Sequence, residues 1–160
     1  MLRRNSKSPD QFWSEYEEKI GEKVLAFSLA KYLSGWEEFD KQGRVDLWGL
    51  IIVSSGGFRF HHFPKRHWLD FMSSGEDPKE KSFIIPKEKL ISARLLKERN
   101  WLKIIISSAR PKLEIYFSDD FQKELRLVFE ADLLRDDFIE KLTASISWED
   151  CLSSQTESAD

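Results

Sequence analysis

The chain carries a single cysteine, Cys151, so no disulfide can form within it, and its chemistry suits a reducing compartment. No apolar run approaches the ~20 residues that a membrane-spanning helix needs. The opening MLRRNSKSPD is cationic but has no apolar stretch behind it, which argues against a secretory signal. The Met-Leu start and the internal position of Cys151 do not fit N-myristoylation or prenylation. These absences together lead us to expect a cytoplasmic protein. The net charge of −3 argues against nucleic-acid binding. Gly-x-Ser-x-Gly, His-Glu-x-x-His and Gly-x-x-x-x-Gly-Lys motifs are all missing, and Cys151 has no histidine near it in sequence. We therefore expect no catalytic residues and no enzyme.

What is present reads as one folded domain. At 160 residues, with 41% hydrophobic and 33% charged, the chain can bury a core without disulfide or metal staples. Six Trp and twelve Phe point to an aromatic-rich interior. Charge is unevenly spread: Lys79 to Lys112 is strongly basic, whereas Leu113 to Asp160 is strongly acidic. Neighbouring strands that neutralise one another are the simpler expectation, ahead of a functional basic face. No internal repeat is visible.

Ser8-Pro9-Asp10-Gln11 is a helix start, with Ser8 as cap, Pro9 at the first position and Gln11 completing a capping box. Phe12, Trp13, Tyr16 and Ile20 share one face, and Gly21 is a natural stop. Trp13 and Tyr16 could anchor a partner, though packing on the chain's own body is the expectation. From Val24 the period shortens to two. Strands are predicted at Val24–Leu33, Val45–Val53, Phe58–His62, Phe83–Ile85, Leu90–Leu96, Trp101–Ser107, Leu113–Phe117 and Leu125–Phe129, with GWEEFDKQG as a polar link between the first two. Their short spacing without intervening helices predicts an antiparallel meander. Leu134, Phe138, Leu142 and Ile146 then recur every four residues, with Asp132, Asp136 and Asp137 near the start, which predicts a C-terminal amphipathic helix. After Trp148 the acidic, Ser-rich EDCLSSQTESAD predicts disorder. The expected layout is a flexible 1–8, a helix at 9–21, a β domain at 22–148 and a disordered tail at 149–160.

The stretch FRFHHFPKRHWLDF holds all three histidines. His61 and His62 are adjacent on a strand and point to opposite faces, and no Cys or acidic residue stands at a zinc spacing from His67. No metal or cofactor is expected. Pairs such as Glu37-Glu38 and Asp136-Asp137 read as solvated or helix-start carboxylates. The connection from His61 to Ser82 is more pointed, because Trp68, Leu69, Phe71 and Met72 stand beside Lys65, Arg66 and His67. Amphipathic aromatics favour a lipid interface, and each nearby cation gains about 1 kcal/mol at an anionic surface. The competing expectation is that this loop folds back over the sheet.

The stretch WGLIIVSSGGFRF resembles the signature hairpin of GRAM domains in the pleckstrin-homology superfamily, with Gly49, Ile51, Val53, Ser54, Phe58 and Phe60 in the matching places. IPKEKLISAR, WLKIIIS, LEIYF and RDDFIEKL are similar to the next strands and the start of the terminal helix of that family, in the same order. The likeness covers roughly residues 22 to 148. It implies a mainly β, pleckstrin-homology-like antiparallel barrel of about seven strands, capped by one amphipathic helix, with a short N-terminal helix added. It further implies a non-catalytic binding or adaptor module, with a protein partner as the first expectation. The alternative it offers is peripheral binding to anionic, phosphoinositide-like lipid through the His61–Ser82 loop, with Lys65, Arg66, His67, Trp68 and Phe71 as contact residues. GWEEFDKQG is acidic where lipid-binding members carry Lys and Arg, which favours the protein partner. A small-molecule or metal-dependent enzyme is the remaining alternative.

Overall fold

The computed structural model describes residues 8–41, 47–62, 81–98, 110–131, 134, 136–144 and 146–153. Helix α1, Pro9–Ile20, begins as its sequence predicts: the Ser8 hydroxyl accepts from the Gln11 N–H, and the Gln11 side chain accepts from the Ser8 N–H. Gly21 ends it in the left-handed conformation at φ 67°, donating its N–H to the Glu17 carbonyl. Among the described residues eight strands follow: β1 Val24–Ser34, β2 Leu47–Ser54, β3 Gly57–His62, β4 Lys81–Pro86, β5 Leu90–Glu98, β6 Lys112–Ser118, β7 Glu124–Glu130 and β8 Ser147–Ser153. A short α2, Glu37–Asp40, lies between β1 and β2. Helix α3, Asp136–Thr143, precedes β8.

The molecule is mainly β, and its strands form one sheet in the order β4-β3-β2-β1-β7-β6-β5-β8. Strands β1 to β7 pair antiparallel, as the meander predicts. Period-two alternation sends Ala26, Ala30 and Tyr32 of β1 inward, with Ile51 and Val53 of β2 and Phe58 and Phe60 of β3. Leu113, Ile115, Leu127 and Phe129 meet them from the other half of the sheet. Each fully buried Leu, Ile or Phe contributes roughly 1.5–3 kcal/mol over leaving it in water. Helix α3 adds Phe138 and Leu142, both fully buried, to the same core. Helix α1 lies on the outer face instead, where Trp13 packs on Phe27 at 4.1 Å and Tyr16 meets His61 edge-on at 5.6 Å.

Three expectations are corrected. Among the described residues the sheet curls but does not close into a barrel: β4 and β8 are its edges, and no ladder joins β4 to β5. After Pro86 the chain makes a 3₁₀ turn at Lys87–Lys89 and changes direction into β5, so β4 and β5 diverge at the corner. The terminal helix spans eight residues rather than the whole interval from Leu134 to Ile146; both of those side chains are half-buried against the core from outside it. Residues 149–153, expected to be disordered, continue β8 and pair in parallel with β5 from Ser92↔Ser147 to Glu98↔Ser153. The free edge of β5 supplies hydrogen bonds to a backbone whose sequence has little intrinsic preference for a strand. The predicted strand at Trp101–Ser107 and residues 1–7, expected to be flexible, lie outside the described residues, as does the tail from 154.

The basic and acidic stretches do meet. Arg94 pairs with Glu114 across β5 and β6, Lys89 with Asp120, and Arg110 with Glu130. No helix among the described residues is long and apolar enough to cross a membrane.

Candidate functional site

The corner that the sheet leaves open is a groove of about 740 Å³ with three walls. One wall is the link after β1, from Gly35 to Lys41. The second is the end of β4 with the following turn, Ile84 to Lys89. The third is the β6–β7 hairpin, from Phe117 to Leu125.

The first wall is set by a buried tyrosine. The Tyr32 hydroxyl accepts from the Trp36 N–H at 2.6 Å and donates to Asp40 Oδ1 at 2.7 Å. The other Asp40 oxygen accepts from the Gly35 N–H at 3.0 Å. Burial first, and the Asp40 carboxylate second, raise the Tyr32 hydroxyl pKa above its usual range, so it stays a donor. Gly35 is required here: its φ is 110°, and a Cβ would lie 2.0 Å from the Arg126 carbonyl oxygen. This clasp aims Trp36 across the gap, where it stacks on Phe83 at 4.2 Å and 10° and lies 6.1 Å from Phe117. Trp36 is only partly buried, so the aromatic floor of the groove remains open to a ligand.

The other walls are also fixed. Asp119 Oδ1 accepts from the N–H groups of Phe121 and Lys123, both at 2.9 Å, and so shapes the hairpin turn. Lys89 pairs with Asp120, tying the second wall to the third and holding the Asp120 carboxyl below its usual pKa. Lys41 does the same for Glu37 on the first wall. The lining carries the carboxylates of Glu37, Glu38, Asp40, Asp119 and Asp120 against Lys41, Lys89 and Lys123, which leaves an acidic rim around an apolar floor.

Lys65, Arg66, His67, Trp68 and Phe71, the residues expected to contact lipid, lie outside the described residues. The roots of their loop are placed: His62 ends β3 opposite Lys81, which begins β4. His61 and His62 do point to opposite faces. His61 is buried beneath Tyr16, while His62 donates from Nδ1 to the Trp48 carbonyl at 2.8 Å. Among the described residues no group of three His, Cys, Asp or Glu side chains is arranged to hold a metal ion. Trp13 and Tyr16 are engaged in packing α1 on the sheet.

The groove itself was not foreseen. GWEEFDKQG reads as a polar link, yet it contains α2 and supplies Trp36 and the buried Phe39. Two aromatics three residues apart in an acidic stretch were the available signal.

No family model matches the chain, and no curated protein does so either. Among solved structures it is similar to the hSac2 domain from human phosphoinositide phosphatase Sac2, with a TM-score of 0.51 and 9% identity over 97% of this chain and 96% of that one. Likeness at this identity concerns the fold alone.

Proposed function

We propose that the chain is a non-catalytic binding or adaptor module of the pleckstrin-homology/GRAM type, and that the corner groove is where it holds a protein partner. The observation that carries this reading is a preformed cleft floored by Trp36, which is backed by the buried Phe83, with three walls pinned by hydrogen bonds and ion pairs. A cleft that is already organised loses little entropy on binding, and a part-exposed aromatic is the usual kind of interface anchor. Its acidic rim disfavours phosphate-bearing ligands and favours polypeptide. A photo-crosslinking amino acid at Glu38 on the groove rim, with Ser14 on α1 as the control position, tests this in cells. Crosslinks to protein from position 38 and not from position 14 are expected. Crosslinks to lipid alone, or equal yields at both positions, would overturn the reading.

The second reading is peripheral contact with anionic lipid through the His61–Ser82 loop. It is favoured by Lys65, Arg66 and His67 standing beside Trp68 and Phe71 in the sequence, and by the fold neighbour being a domain of a phosphoinositide phosphatase. Co-sedimentation with vesicles containing anionic lipid separates the two. Loss of binding in Lys65→Glu/Arg66→Glu supports lipid contact, and unchanged partitioning removes it.

A further inference from the structure

We infer that Phe121, at the tip of the β6–β7 hairpin, is the anchor of a docking surface continuous with the corner groove, and that its partner is a basic protein segment bearing apolar side chains. This inference rests on the groove being a protein-binding site.

Phe121 is 90% exposed, the most exposed of the large hydrophobic residues described, while Phe117 and Leu125 on the flanking strands turn toward the core. A phenylalanine left in water at a loop tip gains nothing for the fold, and its apolar surface is available to a partner. The tip is also held rigidly. Asp119 accepts from two backbone N–H groups of the turn, and the Asp119 N–H donates to the Lys123 carbonyl at 3.0 Å. Gln122 sits at φ 59°, a left-handed conformation that residues other than Gly, Asn and Asp adopt rarely. The Asp120–Lys89 pair then fastens the hairpin to the turn after β4. Phe121 is therefore presented from a fixed base, and ordering it on binding costs little.

Charge selects the partner. Phe121 stands next to Asp120 in a hairpin that forms one wall of the groove, whose lining carries five carboxylates against three lysines. An anionic bilayer would be repelled from such a surface, whereas Lys or Arg side chains would be drawn to it. The hairpin thus fits a cationic polypeptide whose apolar side chains cover Phe121 and reach the Trp36 floor.

The test uses a displayed library of random dodecapeptides selected on the full chain, with labelled winners measured by fluorescence anisotropy. Enriched peptides should carry net positive charge and at least one large apolar residue. Phe121→Ser, checked for an unchanged melting curve, should weaken them about tenfold. Glu38→Lys should weaken them several-fold and flatten the dependence on salt. Amide shifts at Trp36, Ile84 and Leu125 report occupancy of the groove separately. Peptides that shift those amides but are acidic, or are indifferent to Phe121→Ser, overturn this inference and leave the groove reading standing. If no peptide is enriched, or none shifts those amides, both readings fall. Phe121-dependent sedimentation of the full chain with phosphatidylserine vesicles would overturn the inference in favour of a membrane.

Discussion

Single side chains decide how this sheet is pinned at both of its ends. At the groove, the Tyr32 hydroxyl serves two partners at once, so Tyr32→Phe strands the Trp36 N–H and one Asp40 oxygen. A loss of about 1–3 kcal/mol in urea unfolding is expected, together with faster acrylamide quenching of Trp36. A variant as stable as the parent would show that the clasp does not hold the wall. At the β2–β3 turn, Glu22 accepts from Arg59 at 2.6 Å and from the Ser54 hydroxyl at 2.5 Å. The Arg59 hydrogen bond is the largest influence, and it keeps the Glu22 carboxyl below its ordinary 4.5 despite the opposing effect of burial. Because the folded-state pKa is the lower one, the unfolded chain takes up the proton first as pH falls. The stability that Glu22 contributes is thus complete above about pH 4.5 and is lost in more acidic solution. Glu22→Gln should melt below the parent at pH 7, and the gap should narrow as the solution is acidified below about pH 4.5. Little of this was legible beforehand. The opposite placement of His61 and His62 follows from strand geometry, whereas Glu22 and Arg59 stand 37 residues apart and meet only after three strands have paired.

Elements were legible wherever local chemistry specifies them. Ser8, Pro9, Gln11 and Gly21 define α1 almost to the residue, because capping depends on neighbours in sequence. The strands β1 to β7 follow from alternation. Helix α2 escaped because four residues carry no period, and its buried Phe39 is held by tertiary contacts with Tyr32, Phe60 and Phe83. Strand β8 escaped for a different reason: SWEDCLS has poor strand propensity, and its order comes from the ladder to β5. Deleting residues 147–160 should therefore leave the core intact and expose the β5 edge. Hydrogen exchange at Ser92 to Lys97 is expected to rise well above the parent while Ile51 to Val53 stay protected, and sedimentation should detect self-association through the freed edge. Unchanged protection along β5 would mean that β8 adds no order to it.

At the scale of the whole molecule, the inward faces of the strands were readable and the way they are sealed was not. Alternation identifies Ile51, Phe58, Phe60, Leu113, Ile115 and Phe129 as core without saying that β4 and β5 part company at the corner. The seal there is a side chain from a link that reads as polar. Trp36 bridges the two halves of the sheet, stacking on Phe83 of β4 and approaching Phe117 of β6, in the place where a closed barrel would have a backbone ladder. A ladder seals with hydrogen bonds and leaves no cleft; an indole seals by contact and leaves a groove beside itself. Stability and binding then share one residue. Trp36→Ala should cost about 1–3 kcal/mol through the lost contact with Phe83 and Phe117, less than a fully buried aromatic because the indole already borders the groove. It should also raise hydrogen exchange along β4 and β6 together, because their separation is no longer bridged. Trp36→Phe keeps part of the stack, so it should recover most of the stability while narrowing the aromatic floor. If the sealing argument is right, peptides selected on the parent will bind Trp36→Phe more weakly even where its unfolding midpoint is close to the parent's. Full affinity in that variant would separate the two roles and place the binding surface away from the indole.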